Sequence, residues 1–165
     1  MSSFLEEVPA ASLTQDTIRR LFELIDKAKT DPKFQELVYG ITRNLASKDY
    51  KGELGAILRW AKRNVRYTRD PYGVELVQDV WATLSRGRAD VDDFHVRVGA
   101  MAEVMGAPVQ RVTVSTRPDK EPVHTYPAAY VGKKWVALDA TVPGSYPGWE
   151  PRQITDKKVW SRRDV

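Results

Sequence analysis

The chain has 165 residues, 42% of them hydrophobic, and carries 26 basic against 22 acidic side chains for a formal net charge of +4. It contains no cysteine, which excludes disulfides, zinc–thiolate sites and every thiol mechanism. The length allows one domain with a hydrophobic core. No apolar run is long enough for a bilayer and the first thirty residues lack a secretion-signal pattern, so we expect neither membrane insertion nor export.

Two helices are predicted in the first 45 residues. The first follows candidate caps at residues 12–14, and the second begins with Asp31 as N-cap and Pro32 at the first helical position. Their apolar faces are formed by Ile18, Leu21, Phe22, Ile25 and Ala28, and by Phe34, Leu37, Val38, Ile41 and Leu45. The sequence leaves open whether these faces pack on the following domain or on a partner.

A third helix is predicted from about Glu53, after a polar link at residues 46–52. Its apolar stripe consists of Leu54, Ile57, Leu58, Ala61 and Val65. Residues 64–73 have turn chemistry, and residues 75–87 are predicted to be a loop-rich segment that carries Trp81.

The fourth predicted helix has the strongest start signal. Asp90 is a good N-cap, Asp92 and Asp93 place negative charge in the first turn, and Gly106 closes the helix. Its apolar positions are Val91, Phe94, His95, Val98, Met101, Ala102 and Met105. Val91 is therefore predicted to point towards the interior.

After Pro108 the apolar period changes to two. Residues 112–116 predict one strand, and residues 123–131 and 135–139 predict a hairpin around Gly132 and Lys133. Pro127 indicates an edge position or a bulge. A two-residue turn near Val131 would place His124 opposite Asp139 on one face of the sheet. Residues 143–165 are predicted to form an arm, either packed on the surface through Tyr146 and Trp149 or ordered by a partner.

Four segments carry a family resemblance: residues 64–67, 89–94, 123–126 and 135–141. They resemble the transglutaminase-like superfamily, in which a cysteine at a helix N-terminus is activated by a histidine that an aspartate orients. The family's helix begins Gly-Asp-Cys-Asp-Asp, where this chain has Ala89, Asp90, Val91, Asp92 and Asp93. The similarity covers roughly residues 53–142.

The resemblance implies an α+β fold with a papain-like, transglutaminase-like core, in which a helix packs on a small antiparallel sheet. Residues 1–50 would be an N-terminal helical extension, residues 51–142 the core and residues 143–165 a C-terminal arm. Matched residue by residue, the family's triad falls on Val91, His124 and Asp139. Because valine can neither ionise nor attack a carbonyl, the triad is degenerate and thiol catalysis is excluded.

We therefore expect a catalytically inactive protein with a structural, assembly or partner-binding role. The resemblance implies a phage or prophage virion component, located in the cytoplasm or in the virion. Partners would be other proteins, and neither a cofactor nor a metal is expected. The alternative is a peptide-binding module that uses the degenerate cleft, since valine is close to cysteine in volume. Trp81, Asp92, His95 and Tyr126 are the predicted cleft residues.

A residual hydrolase with non-thiol chemistry is a further alternative. Ser85 and Thr125 carry hydroxyls near the site, and His95 with His124 and Asp139 has the composition of a metal site. The simpler interpretations are favoured: His95 as a core-edge histidine hydrogen-bonded to the backbone, and the His124–Asp139 pair as a pin for the hairpin.

Basic residues are densest at Arg59, Lys62, Arg63 and Arg66, and again near the end at Lys157, Lys158, Arg162 and Arg163. Such groups suit nucleic acid or an acidic protein surface. Stacking aromatics do not alternate with them, which argues against nucleic acid.

Overall fold

The computed structural model describes residues 15–46, 48–68 and 79–165. The predicted caps at residues 12–14 and the predicted turn at residues 69–73 lie outside these segments. In chain order the elements are α1 (Gln15–Lys29), α2 (Pro32–Thr42), α3 (Tyr50–Asn64), β1 (Arg66–Tyr67), α4 (Val80–Arg86), β2 (Arg88–Ala89), α5 (Val91–Val104), β3 (Val109–Ser115), β4 (His124–Val131), β5 (Lys134–Ala137) and β6 (Asp156–Trp160). A 3₁₀ turn at Arg162–Asp164 ends the chain.

The N-terminal helices pack on the rest of the same chain. Helix α1 contacts α5 extensively, and its apolar side chains share one core with those of α2, α3 and α5. Every residue of α5 from Asp92 to Ala102 is buried, so α5 is the central helix of the fold. Burying an apolar face in this way supplies most of a helix's stability, so α1 and α2 are stabilised by packing within the chain.

The helix starts follow local capping chemistry. The Asp31 side chain caps α2 by accepting a hydrogen bond from the Lys33 amide, and Pro32 is the first residue of the helix, as predicted. Asp49 accepts from the Gly52 amide and starts α3 at Tyr50, earlier than the predicted Glu53. Capping by an aspartate side chain satisfies amides that have no partner within the helix, and this determines where each helix begins.

The predicted loop at residues 75–87 is wrong for its second half, which forms α4. Asp79 accepts from the Ala82 amide at its start, and Gly87 ends it in the left-handed region with φ 66°. The helix has only two turns, too few for a periodic apolar pattern to be recognised. Residues 75–78 lie outside the described segments.

The main sheet is antiparallel with strand order β5-β4-β3-β6. Its two faces bury different clusters. Val109 and Ala129 belong to the core that contains α5. The opposite face carries a second cluster of Val112, Val114, Tyr126, Ala128 and Ala137, with Ile154 packed on it.

The hairpin has a register two residues away from the predicted one. Val131 pairs with Lys134 across a turn in which Gly132 and Lys133 both have positive φ, the requirement of a type I′ turn. Asp139 therefore lies diagonally across from His124, still on the same face because a shift of two preserves side-chain alternation.

Pro127 lies in an inner strand, so the predicted edge position or bulge is wrong. Its carbonyl accepts from the Leu138 amide at 2.8 Å, just beyond the end of β5. The missing proline amide thus falls where the β4–β5 ladder ends, and little pairing is lost.

The C-terminal segment is part of the sheet. Strand β6 pairs with β3, a strand that the arm prediction did not anticipate. Arg162 then contacts Asp26 of α1 at 2.7 Å and Glu103 of α5 at 2.8 Å. Tyr146 is 62% exposed and does not anchor the segment. In the described segments no helix combines the length and the apolarity that crossing a bilayer requires.

Candidate functional site

The start of α5 is built by reciprocal capping. Asp90 accepts from the Asp93 amide at 2.9 Å, and Asp93 accepts from the Asp90 amide at 3.3 Å. Val91 is the first residue of the helix and is partly buried. Position 91, where the family has its nucleophilic cysteine, therefore lies at a capped helix N-terminus. The valine found there has no ionisable group.

Asp92 forms an ion pair in the core. Its carboxylate accepts from Arg111 Nη2 at 2.9 Å, and both side chains are buried. Arg111 occupies an inward-facing position of β3, opposite Pro127. Arg111 was not among the predicted site residues, although a cation between the apolar residues of a strand is a signal for a buried carboxylate partner.

His95 is fully buried, and neither of its ring nitrogens has a hydrogen-bond partner among the described residues. The expected hydrogen bond to the backbone is therefore wrong. Burial, and secondarily the charge of Arg111, holds the pKa of His95 well below its usual value of 6.5. The ring is neutral at physiological pH.

Arg97 is a second buried cation that the sequence analysis missed. It is fully buried and donates to the Val80 carbonyl of α4 at 3.3 Å. Burial lowers its pKa to about 10, against the opposing effect of Asp93. The guanidinium therefore stays charged at neutral pH and ties α5 to α4.

The structure brings His124 and Asp139 together. Nε2 of His124 meets one carboxylate oxygen of Asp139, and both residues are buried. The other oxygen accepts from the Thr141 amide at 2.9 Å and from its hydroxyl at 2.7 Å. Because Asp139 engages Nε2, any group activated by this imidazole would have to meet Nδ1.

The pair is also part of a wider network. The Ser145 hydroxyl donates to the Asp139 carbonyl, and Lys62 of α3 donates to the Ser145 carbonyl at 2.7 Å. Burial lowers the pKa of Lys62, and the charge of Asp139 opposes this effect. The network connects β4, the segment after β5 and α3.

Tyr126 lies beside the pair, with its ring centroid 5.8 Å from that of His124. It is only 1% exposed. Burial, followed by the nearby charges of Glu150 and Asp139, raises the pKa of its hydroxyl above the ordinary value. A neutral phenol enclosed in this way belongs to the core rather than to an open cleft.

Trp81 lies elsewhere, against the start of α2. Its indole donates to Asp31 at 2.6 Å, and its ring meets Phe34 edge-on at 6.1 Å between centroids. The four predicted cleft residues thus have their contacts in different places: Tyr126 with His124, Asp92 and His95 beside Arg111, and Trp81 on α2.

The relation of Val91 to His124 stays a prediction. The side chain of His124 lies on the sheet face of Val114 and Tyr126, whereas α5 packs on the other face. His124 is the first residue of β4.

No group of three candidate ligands that could hold a metal ion occurs among the described residues, so His95, His124 and Asp139 do not form one. The hydroxyl of Thr125 donates to the Val112 carbonyl at 2.9 Å, and Ser85 is exposed on α4. Neither is placed at the start of α5.

Comparisons with known proteins agree with this architecture. The chain aligns with a solved candidate cysteine protease from Cytophaga hutchinsonii at 20% identity and TM-score 0.55, over 95% of this chain and 59% of that one. A candidate protease from Parabacteroides distasonis aligns at 13% identity and TM-score 0.56, over 75% of this chain and 26% of that one. LapG of Legionella pneumophila aligns at 12% identity and TM-score 0.55, over 85% and 86% of the two chains.

These likenesses establish the fold, and the chain spans 59% and 26% of the length of the first two structures. Among curated proteins none matches the sequence. A family model described as the transglutaminase-like superfamily matches residues 35–140, more than half of the chain. The resemblance and the α+β fold class are confirmed, and the chain belongs to the transglutaminase-like superfamily.

Proposed function

We propose that this chain is a non-catalytic member of the superfamily that acts by binding other proteins in an assembly. The observation that carries the proposal is Val91 at the first position of α5 in a chain without cysteine. A valine cannot supply the thiolate that this helix N-terminus would otherwise stabilise. A phage or prophage virion is one setting for such an assembly, and it rests on the resemblance alone.

The His124–Asp139 pair supports this proposal because its hydrogen bonds already give it a structural task. Asp139 holds the residues that follow β5 through Thr141 and Ser145, and Lys62 holds the same segment to α3. A buried pair with all these partners stabilises the fold whether or not a nucleophile is present.

Burial of the pair also weighs against a peptide-binding role for the old cleft. His124 and Tyr126 are 3% and 1% exposed, so a peptide would have to displace covering residues to reach them. Non-thiol hydrolysis is disfavoured as well, since the Thr125 hydroxyl is engaged with a backbone carbonyl. The outer surface is therefore where we place partner binding.

The test of inactivity compares the wild-type protein with His124→Ala on glutamine-containing peptides, measuring both ammonia release and amine incorporation. We expect the two proteins to be indistinguishable from buffer. Turnover by the wild type that His124→Ala abolishes would refute the proposal.

A second experiment tests the inherited geometry. Val91→Cys is treated with iodoacetamide over a range of pH, beside the double variant Val91→Cys/His124→Ala. If position 91 faces Nδ1 of His124, the thiol reacts below the pH at which a free thiol does, and the double variant loses this advantage. Equal reactivity in both would show that Val91 and His124 do not form a degenerate active site.

A further inference from the structure

A groove runs along the outer side of α2 and α3, away from the core-facing residues of both helices. The groove is open to solvent and has a volume of about 720 Å³. Each helix contributes two turns of residues at helical spacing: Lys33, Glu36, Leu37, Gly40 and Ile41 from α2, and Ala56, Arg59, Trp60, Arg63 and Asn64 from α3. Two such strips, each about 12 Å long at 1.5 Å per residue, form a valley of the kind that receives another helix.

The floor of the groove is apolar and incompletely covered. Leu37, Ile41 and Trp60 pack against the core on one side but are only partly buried. Neighbouring apolar side chains left open in a concave surface favour a partner with an apolar face.

Gly40 leaves the α2 side of the groove open. It is an exposed residue within α2, where glycine is among the poorest helix formers. A Cβ added there would meet nothing within 4 Å, so the packing of this chain does not require glycine. Its absence of a side chain leaves room in the groove for a partner.

The rim of the groove is basic. Lys33, Arg59 and Arg63 are exposed along it, with Glu36 as the one carboxylate among the lining residues. Arg59 and Arg63 are separated by one helical turn and so flank the floor on the α3 side. A surface of this kind is complementary to an acidic partner.

We infer that this groove binds an amphipathic helix of another protein, with apolar side chains on the floor and carboxylates on the basic rim. The inference deepens the proposed function by naming the surface and the chemistry of the partner. Trp60 is the single aromatic among the lining residues, beside the aliphatic Leu37 and Ile41, so the floor suits apolar side chains of a protein better than a row of bases, which would need several stacking aromatics.

The test uses the full chain and a designed helical peptide of about four turns, with leucines at i, i+4 and i+7 and flanking glutamates. A matched peptide carries lysines in place of the glutamates. Fluorescence anisotropy measures binding of both at physiological salt. We expect only the acidic peptide to bind.

Variants locate the binding. Gly40→Phe fills open space and should weaken the acidic peptide at least ~10-fold, whereas Gly40→Ala should stay within about twofold. The double variant Arg59→Glu/Arg63→Glu should also abolish binding, and Lys133→Glu, an exposed charge on the hairpin turn, serves as the control. Circular dichroism verifies that each variant remains folded.

Equal binding of the two peptides, or an unchanged affinity in Gly40→Phe, would overturn the inference. So would binding of a single-stranded oligonucleotide at the groove without binding of the acidic peptide, or self-association through the groove in light scattering. The activity assay on wild type and His124→Ala does not depend on the groove, so failure of this inference and failure of the proposed function are told apart.

Discussion

His95 should make this protein sensitive to mild acid. The ring is fully buried beside Arg111, and both effects hold its folded-state pKa well below 6.5. In the unfolded chain the same imidazole has an ordinary pKa of about 6.5. Below that pH the unfolded state takes up a proton that the folded state does not, so stability falls as the pH falls.

The magnitude follows from linkage. With the folded ring still neutral, protonation of the unfolded chain lowers the free energy of unfolding by about 2 kcal/mol at pH 5 and by less than about 0.1 kcal/mol at pH 7.5. Urea unfolding at these two pH values measures the difference. His95→Leu and His95→Gln both remove the titration, and leucine also removes two buried nitrogens without partners among the described residues.

We expect each variant to gain about 2 kcal/mol on the wild type between pH 7.5 and pH 5. Contributions from the other titratable groups are common to all three proteins and cancel in the comparison. His95→Leu should in addition be the most stable of the three proteins at pH 7.5. Parallel loss of stability in wild type and variants would show that His95 becomes protonated in the fold, and the reasoning would be wrong.

Three stability predictions concern other residues and are measured by urea unfolding at pH 7.5. Asp139→Ala removes the buried hydrogen bonds to His124 and Thr141 and should cost about 2–3 kcal/mol; a cost below about 1 kcal/mol would contradict the structural role of the pair. Asp92→Ala removes the carboxylate from the buried guanidinium of Arg111 and should cost about 3 kcal/mol, a value that an unaltered denaturation midpoint would refute. Gly40→Ala should stabilise by about 0.5–1 kcal/mol, since the new Cβ meets nothing within 4 Å; destabilisation would mean that the helix is strained there.

Sequence patterns predicted the elements whose signals are local. Asp31 followed by Pro32, and Asp90 with its acidic first turn, specify helix starts because the capping contacts span only a few residues. Gly132 and Lys133 likewise specify a hairpin turn. Each of these signals depends on neighbours in the chain and needs no knowledge of the tertiary structure.

The missed strand and the packing of the helices depend on distant partners, whereas α4 was missed because it has only two turns. Strand β6 has two adjacent lysines and is mostly exposed, so it carries no apolar alternation; pairing with β3 alone makes it a strand. The predicted hairpin register was wrong by two residues. The sequence did not show that Gly132 and Lys133 are the two turn residues with positive φ, and this conformation fixes the register. The packing of α1 on α5 follows from complementary apolar faces, which the sequence marks without saying what covers them.

The candidate site shows the same distinction between contacts that the sequence predicts and contacts between distant segments. The pairing of His124 with Asp139 was predictable from family resemblance, and hairpin geometry places both on one face. The contact between Asp92 and Arg111 joins a helix to a strand, and no local pattern in either segment identifies the partner residue in the other. Trp81 was predicted to line the cleft, whereas its indole donates to Asp31.

The residues at the start of α5 therefore have two kinds of role. The three aspartates stabilise the fold, whereas position 91 would matter only for catalysis. Asp90 and Asp93 cap the helix reciprocally, and Asp92 compensates a buried arginine. These contacts involve no thiol, so they stabilise the protein equally with valine at position 91. A helix N-terminus suited to a thiolate can thus persist as a structural element, which is why a chain with this motif need not be an enzyme.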